Sequence, residues 1–310
     1  MTTPPLTGPL CTRDSLAADL RALGLRPGDA VLVHTSLSSL GWVNGGPEAV
    51  VLALLDCLGD DGTLVVPAHS GGISDPSEWQ HPPVPAEWWP TIRATMPAYD
   101  PRTARTRGVG VLPETVRTWP GAVRSAHPQT SFAAVGPHAK ALMDGHALDC
   151  RLGEHSPLAR LEAAGARVLL LGAGFGACTA FHLAEYRLPA PGPLVENSFA
   201  VMTDEGRRWM TVRETDIDEE RFDDLGADFE RERSVVRGTV GAATARLFPL
   251  ADAVAYAQAW LPKHRPGGGA PSGARGTARS ARDKPQTRLP RKTQTRPRVV
   301  RGWSRSSPRP

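Results

Sequence analysis

The chain has 310 residues, enough for one large domain or two small ones around a substantial buried core. Apolar residues make up 40% of it, and its formal net charge of +4 is unevenly spread. Residues 263–310 carry 14 Lys and Arg against one acid, Asp283, a net +13, whereas residues 1–262 carry 22 basic and 31 acidic residues, a net −9. An acidic body draws in cationic partners. The Arg-, Pro-, Gly- and Ser-rich tail cannot bury enough surface to offset its ordering entropy, so disorder is expected there and any nucleic-acid contact through it is non-specific.

In chain order, Leu16, Leu20 and Leu23 fall at helical spacing, with Gly24 as a stop. Ala30–Val33 is a short apolar strand, and a loop of small polar residues, His34 to Ser39, follows it. Pro47 opens a helix whose wide apolar face holds Val50, Val51, Leu54, Leu55 and Leu58. Thr63–Val66 is the next strand, so strand, helix and strand form a βαβ unit with parallel pairing. Residues 71–107 contain seven prolines and three tryptophans and read as an irregular binding loop or lid. Ser131–Val135 reads as a strand, Pro157–Ala164 as a helix, Arg167–Leu171 as a buried strand and Thr179–Glu185 as a helix. Phe199–Thr203 and Trp209–Val212 suit an antiparallel hairpin turning over Asp204–Gly206. Asp218–Glu232 is highly charged, and Ala251–Trp260 is the last expected helix.

The four cysteines, Cys11, Cys57, Cys150 and Cys178, have neither C-x-x-C nor metal-ligand spacing. They read as reduced thiols of a cytoplasmic protein, and no metal is expected. The first residues lack a basic and apolar leader, and the longest apolar run, Val168–Phe181, is too short and Gly-broken to span a membrane.

The sharpest chemical signal is Thr179-Ala-Phe-His182-Leu-Ala-Glu185. On a helix His182 and Glu185 share a face, and a carboxylate beside an imidazole orients it and raises its basicity. That is what a general base needs to deprotonate an attacking amine. An ordinary surface His–Glu pair has the same spacing, so spacing alone does not decide. The His34, Thr35, Ser36, Leu37, Ser38, Ser39 loop, between a strand and a helix, offers hydroxyls and backbone N–H groups to a phosphate, or it is a plain turn rich in caps. His69 and Ser70 follow the second strand, where βα ligands bind. His127 could touch a ligand, although a lone histidine is more often simply packed. Gly172-Ala-Gly174-Phe-Gly176 suggests a dinucleotide turn, but Arg187–Val195 with its three prolines replaces the second strand such a site requires. There is no G-x-S-x-G elbow and no Walker loop, which argues against a serine hydrolase and a P-loop enzyme.

Taken in order, Val33-His34-Thr-Ser36-Leu-Ser-Ser39-Leu-Gly41, Gly62-Thr-Leu-Val-Val-Pro67-Ala-His69-Ser70, Gly110-Val-Leu-Pro-Glu114, Arg124-Ser125-Ala-His127-Pro128-Gln-Thr-Ser131-Phe132, His155-Ser156-Pro157 and Leu171-Gly172 to Glu185 resemble the aminoglycoside 3-N-acetyltransferase family. The match runs from about Leu16 to about Trp260. It implies an α/β fold with a mainly parallel central sheet flanked by helices and a smaller antiparallel segment. It implies acetyl-CoA as co-substrate and acetylation of the 3-amino group of a 2-deoxystreptamine aminoglycoside. It assigns the Thr35–Ser39 loop and the Arg124, Ser125 and His127 region, with Ser131, to CoA, and His182 to catalysis. Substrate contacts are expected from His69, Ser70, Thr179 and the carboxylates Asp75, Asp223 and Asp224. One position departs: many family members carry Asp six residues before the catalytic His, where this chain has Gly176. Glu185, Asp75, Asp223 and Asp224 are the candidates to replace it.

The expectation is therefore one acetyltransferase domain over residues 1–262 and a basic tail over 263–310, with direct transfer to a drug amine. A homodimer is compatible with the sequence. Alternatives are acetylation of another small amine in antibiotic biosynthesis, a relative that binds CoA without activity, and a nucleic-acid-binding role for the tail.

Overall fold

The computed structural model describes residues 8–265, so the basic tail from residue 266 onward lies outside the described residues. In chain order the elements are β1 Leu10–Cys11, α1 Arg13–Leu23, β2 Ala30–Thr35, β3 Trp42–Val43, α2 Gly46–Leu58, β4 Thr63–Pro67, α3 Trp89–Thr95, α4 Val111–Arg117, β5 Val123–Arg124, β6 Phe132–Val135, α5 Ala139–Met143, α6 Pro157–Ala163, β7 Arg167–Leu171, α7 Ala180–Tyr186, β8 Leu194–Thr203, β9 Gly206–Thr215, α8 Phe222–Glu232, β10 Val236–Val240, β11 Ala243–Pro249 and α9 Leu250–His264.

Local chemistry sets the element ends. Thr12 and Ser15 form a capping box at the start of α1, and Gly24 takes the left-handed conformation that closes it. Pro47 stands in the first turn of α2, where its missing N–H costs nothing.

Seven strands form one sheet in the order β10-β11-β7-β2-β4-β6-β5. Its centre, β7-β2-β4, is parallel, as the βαβ reading requires, while β11, β10, β6 and β5 pair antiparallel on the two flanks. Successive residues of a strand face opposite sides. Val31 and Val33 of β2 therefore join Leu54, Leu64, Leu169 and Leu171 beneath α1, α2 and α4. Leu32, Val168 and Leu170 join Phe175, Phe181, Phe229 and Phe248 on the other face, beneath α5 to α9. The result is three layers, helix on sheet on helix, with a core on each side of the sheet.

The expected hairpin is longer than its apolar cues. β8 and β9 pair over ten residues each, closing from Thr203 to Gly206. It braces the Pro-rich segment: Arg207 donates to the carbonyls of Arg93 and Met96, and Tyr99 N donates to the Ala200 carbonyl. That segment is not wholly irregular, because α3 lies within it. The last helix also runs past its expected end, through Pro262 to His264. No helix among the described residues is long and apolar enough to cross a membrane, and all four cysteines are free and buried.

Candidate active site

Parallel strands bring their carboxyl ends to one edge, and the chemistry-bearing residues collect there. His34 and Thr35 end β2, His69 and Ser70 follow β4, and Gly172 follows β7. Gly172 is required by geometry: its φ is +68°, and a Cβ would fall 1.7 Å from Ser39 Oγ. The missing side chain lets the turn after β7 pass close over the turn after β2.

Helix α7 carries the sharpest signal into this edge. Ala180 to Glu185 are all buried, and Phe181 packs among Phe175, Phe222 and Phe229. His182 and Glu185 are only 8% and 2% exposed, so the pair is not the surface pair that spacing alone allowed. His182 Nδ1 lies 2.5 Å from Glu185 Oε2. The other oxygen, Oε1, accepts from Arg265 Nη1 at 2.5 Å and from the Asp218 amide at 3.0 Å. Burial alone would raise the Glu185 carboxyl, but the charge and hydrogen bond of His182, joined by Arg265, hold it below the usual carboxylate range.

His34 sits behind this pair, with Nε2 3.4 Å from Thr179 Oγ1. Burial, reinforced by the charge of His182, pushes both His34 and His69 down to about 3, so both are neutral at pH 7. His69 Nε2 and Thr35 Oγ1 are buried and have no hydrogen-bond partner among the described residues. Polar atoms left in that state await a ligand or water.

A groove of about 610 Å³ opens beside them, lined by Ser70, Gly72, Ile73, Ala104, Arg105, Thr106, Arg107, Gly110, Val111 and Glu114. On the far side of Val111 a second recess of about 390 Å³ runs along Leu37, Ser38, Trp42 and Gly46. Glu114 fixes the basic lip. It accepts from Thr106 N and Oγ1 at 2.9 Å and makes a two-pronged pair with Arg117, whose hydrogen bond holds its carboxyl at about 2.

In the region read as CoA-binding, Arg124 is held by internal partners. Arg124 donates to the carbonyls of Ala68, Pro101 and Ala104 and to the hydroxyls of Ser70 and Ser131. Ser125 Oγ is shared by His146 Nδ1 and Phe132 N, and His127 Nδ1 accepts from the amides of Gln129 and Thr130. His127 Nε2 is buried without a hydrogen-bond partner among the described residues, whereas Arg124, Ser125 and Ser131 are thus committed to internal partners. Their polarity serves the closely packed backbone, a role that sequence does not distinguish from ligand contact.

The carboxylates divide as well. Asp75 is bound by Arg93 at 2.7 and 2.8 Å and by Ser77, so it anchors the Pro-rich segment and is not a free anion. Asp224 pairs with Arg221 on the surface. Asp223 is different. Its Oδ1 accepts from Gly176 N at 2.7 Å, and it stands at the rim of the turn before α7. Gly226 permits this approach, since a Cβ there would lie 1.9 Å from the Phe175 ring.

Among the described residues no cluster of His, Cys, Asp and Glu could hold a metal ion. Cys178 is fully buried, and burial pushes its thiol up to about 12, which removes it as a nucleophile at neutral pH. A buried imidazole–carboxylate pair and a basic-lipped groove, both at the carboxyl edge of the sheet, describe a group-transfer enzyme that activates a proton-bearing nucleophile.

Comparison with known proteins makes that class specific. The pattern of the family described as aminoglycoside 3-N-acetyltransferase matches residues 32–262. The SPbeta prophage-derived aminoglycoside N(3')-acetyltransferase-like protein YokD of Bacillus subtilis (strain 168) is 46% identical over 81% of this chain and 92% of its own length. Aminoglycoside N(3)-acetyltransferase VII of Streptomyces paromomycinus is 42% identical over 82% of this chain and 92% of its own. The solved structure of AAC-IIIb with CoASH superposes with a TM-score of 0.74 at 36% identity, covering 82% of this chain and 97% of that one. The chain belongs to the aminoglycoside 3-N-acetyltransferase family, whose members are acyltransferases.

Proposed function

We propose that this enzyme transfers the acetyl group of acetyl-CoA to the 3-amino group of a 2-deoxystreptamine aminoglycoside, with His182 as general base. The observation that carries this reading is the buried 2.5 Å contact between His182 Nδ1 and Glu185 at the carboxyl edge of the sheet. The contact directs Nε2 to substrate and stabilises the imidazolium that forms on proton uptake.

The groove fits the co-substrate. It has a cationic lip at Arg105 and Arg107 for phosphates, and its lining residue Gly110 packs close to Thr35, whose Oγ1 is unpartnered among the described residues. Acetyl-CoA supplies the acyl group as a thioester. The drug enters the acidic side, where Asp223 holds one of its ammonium groups. The reacting amine must be neutral. His182 Nε2 takes its proton as the N–C bond forms and the C–S bond breaks, and the proton then passes to the departing thiolate. Ser36 N and Ser39 N are already spent on the Leu171 and Ser36 carbonyls, so the amides of Leu37 and Ser38 are the loop's donors for the developing oxyanion. Direct transfer needs no enzyme nucleophile, in keeping with the inert Cys178. Acetylation removes one positive charge from the drug and weakens its largely electrostatic hold on RNA, which would confer resistance.

The test is thiol release from acetyl-CoA against kanamycin, gentamicin, neomycin and paromomycin, with the product's acetylated position determined. Drug-dependent release with acetylation at the 3-amino group supports the reading. No release with any of the four, from folded protein that binds CoA, would contradict it in favour of another amine or an inactive site.

A further inference from the structure

Arg265 lies three residues beyond the segment matched to the family, yet it reaches the centre of the site. It follows α9 immediately, and its guanidinium folds back 80 residues in sequence to Glu185. Nη1 donates to Glu185 Oε1 at 2.5 Å, and Nη2 donates to the Asp218 carbonyl. The group sits 5.9 Å from the Phe222 ring centre, and that ring lies 4.7 Å from the His182 ring. Helices α7, α8 and α9 thus meet at one cation.

We propose that Arg265 is a positioning residue for the transfer, fixing the Glu185 carboxylate so that Oε2 alone faces His182. A carboxylate rotates readily about its last bond. Here one oxygen is held by a cation and by the Asp218 amide, which leaves the other as the partner for Nδ1. The imidazole is then held with Nδ1 as the donor and Nε2 as the base. A buried, charge-assisted contact fixes geometry more firmly than a neutral one. Without Arg265, Oε1 keeps only one amide, the carboxylate regains rotation, and the base loses its aim. The hydrogen bonds and ion pair of the Arg265 side chain go to Glu185 and the Asp218 carbonyl, not to the groove-lining residues or Asp223, so its effect falls on the chemical step.

This inference rests on the proposed acetyl transfer, and the experiment separates the two. In the full-length chain, Arg265→Ala, Arg265→Gln and Arg265→Lys are compared with the unaltered enzyme for kcat, for KM of both substrates, and for the low-field proton resonance of the His182–Glu185 hydrogen bond. General-base catalysis contributes roughly 10²–10⁴-fold, and loss of its alignment forfeits part of this. Arg265→Ala and Arg265→Gln are expected to lower kcat on the order of tenfold or more with KM little changed, and to shift or broaden the resonance. Arg265→Lys should recover part of the rate, and millimolar guanidinium should rescue Arg265→Ala. If Arg265→Ala does not fold, the Gln and Lys variants carry the test. A kcat within twofold of the unaltered enzyme, a loss confined to KM, or an unmoved resonance would overturn the assignment. An unaltered enzyme without transfer activity would instead overturn the parent reading, and the resonance would still report on Arg265.

Discussion

The carboxylate of Asp223 stands where a side chain on residue 176 would begin: its oxygens lie 3.1 and 3.2 Å from the place of a Gly176 Cβ, and Oδ1 accepts from the Gly176 amide at 2.7 Å. Many family members carry an Asp at the position of Gly176. In this chain α8 delivers a carboxylate to the same spot from 47 residues away. Of the four acids that were candidates for this place, Asp223 is the one that reaches it. The Asp223 carboxylate thus lies against Gly176, the residue at which the motif lacks its acid.

That relationship predicts a substrate effect. Asp223→Ala should raise KM for the aminoglycoside about five- to tenfold, equivalent to roughly 1 kcal/mol at an exposed, salt-screened site. KM for acetyl-CoA should not move. Adding Gly176→Asp to Asp223→Ala should recover part of the loss, because it returns a carboxylate to the same space. Steady-state kinetics at two salt concentrations checks this, and the defect should shrink as salt rises.

A second prediction concerns the basic lip. Arg105→Ala with Arg107→Ala should raise KM for acetyl-CoA several-fold and leave KM for the drug unchanged. Glu114→Gln should act in the same direction, since Glu114 fastens Thr106 to α4 between the two arginines. Unchanged binding of CoA to both variants by calorimetry would place the co-substrate elsewhere.

Burial gives a third prediction, for stability. His34 and His69 are held near 3 and His146 near 4, against an ordinary value near 6.5. Each folded-state value is depressed, so the unfolded chain takes up the proton first. Stability is full above about pH 6.5 and falls with pH towards 4 for His146 and towards 3 for His34 and His69. At pH 5 each can cost up to about 2 kcal/mol. The melting temperature should therefore drop clearly between pH 7 and pH 5. A flat profile would mean that these rings are hydrated or partnered in solution.

Much of this arrangement is legible in the sequence, for local reasons. Leu16, Leu20 and Leu23, Pro47 and the apolar runs at β2, β4 and β7 carry periodicity, caps and breakers within a few residues of one another, and they suffice for the βαβ unit. His182 and Glu185 can be read as a pair because one helix turn relates them. What the sequence hides is relational. The charge of Asp218–Glu232 conceals that α8 buries Phe222, Leu225 and Phe229 on one face. Val236–Val240 and Ala243–Pro249 are short and rest on small residues such as Gly238, Ala243 and Ala245, a weak apolar signal, yet they extend the sheet next to β7. Sequence does not separate the internal hydrogen bonds of Arg124 and Ser125 from ligand contacts, because a buried backbone that needs donors selects the same polar residues. The contacts of Gly176 with Asp223 and of Glu185 with Arg265 exist only after distant helices have docked.

The central claim is that His182 is the base. Its most direct test is kcat for aminoglycoside acetylation by His182→Ala beside the unaltered enzyme, with CoA binding and melting temperature measured on the same samples. The account predicts a folded, CoA-binding variant whose kcat falls by roughly 10²–10⁴-fold. A His182→Ala enzyme that turns over at a rate near that of the unaltered protein would contradict it.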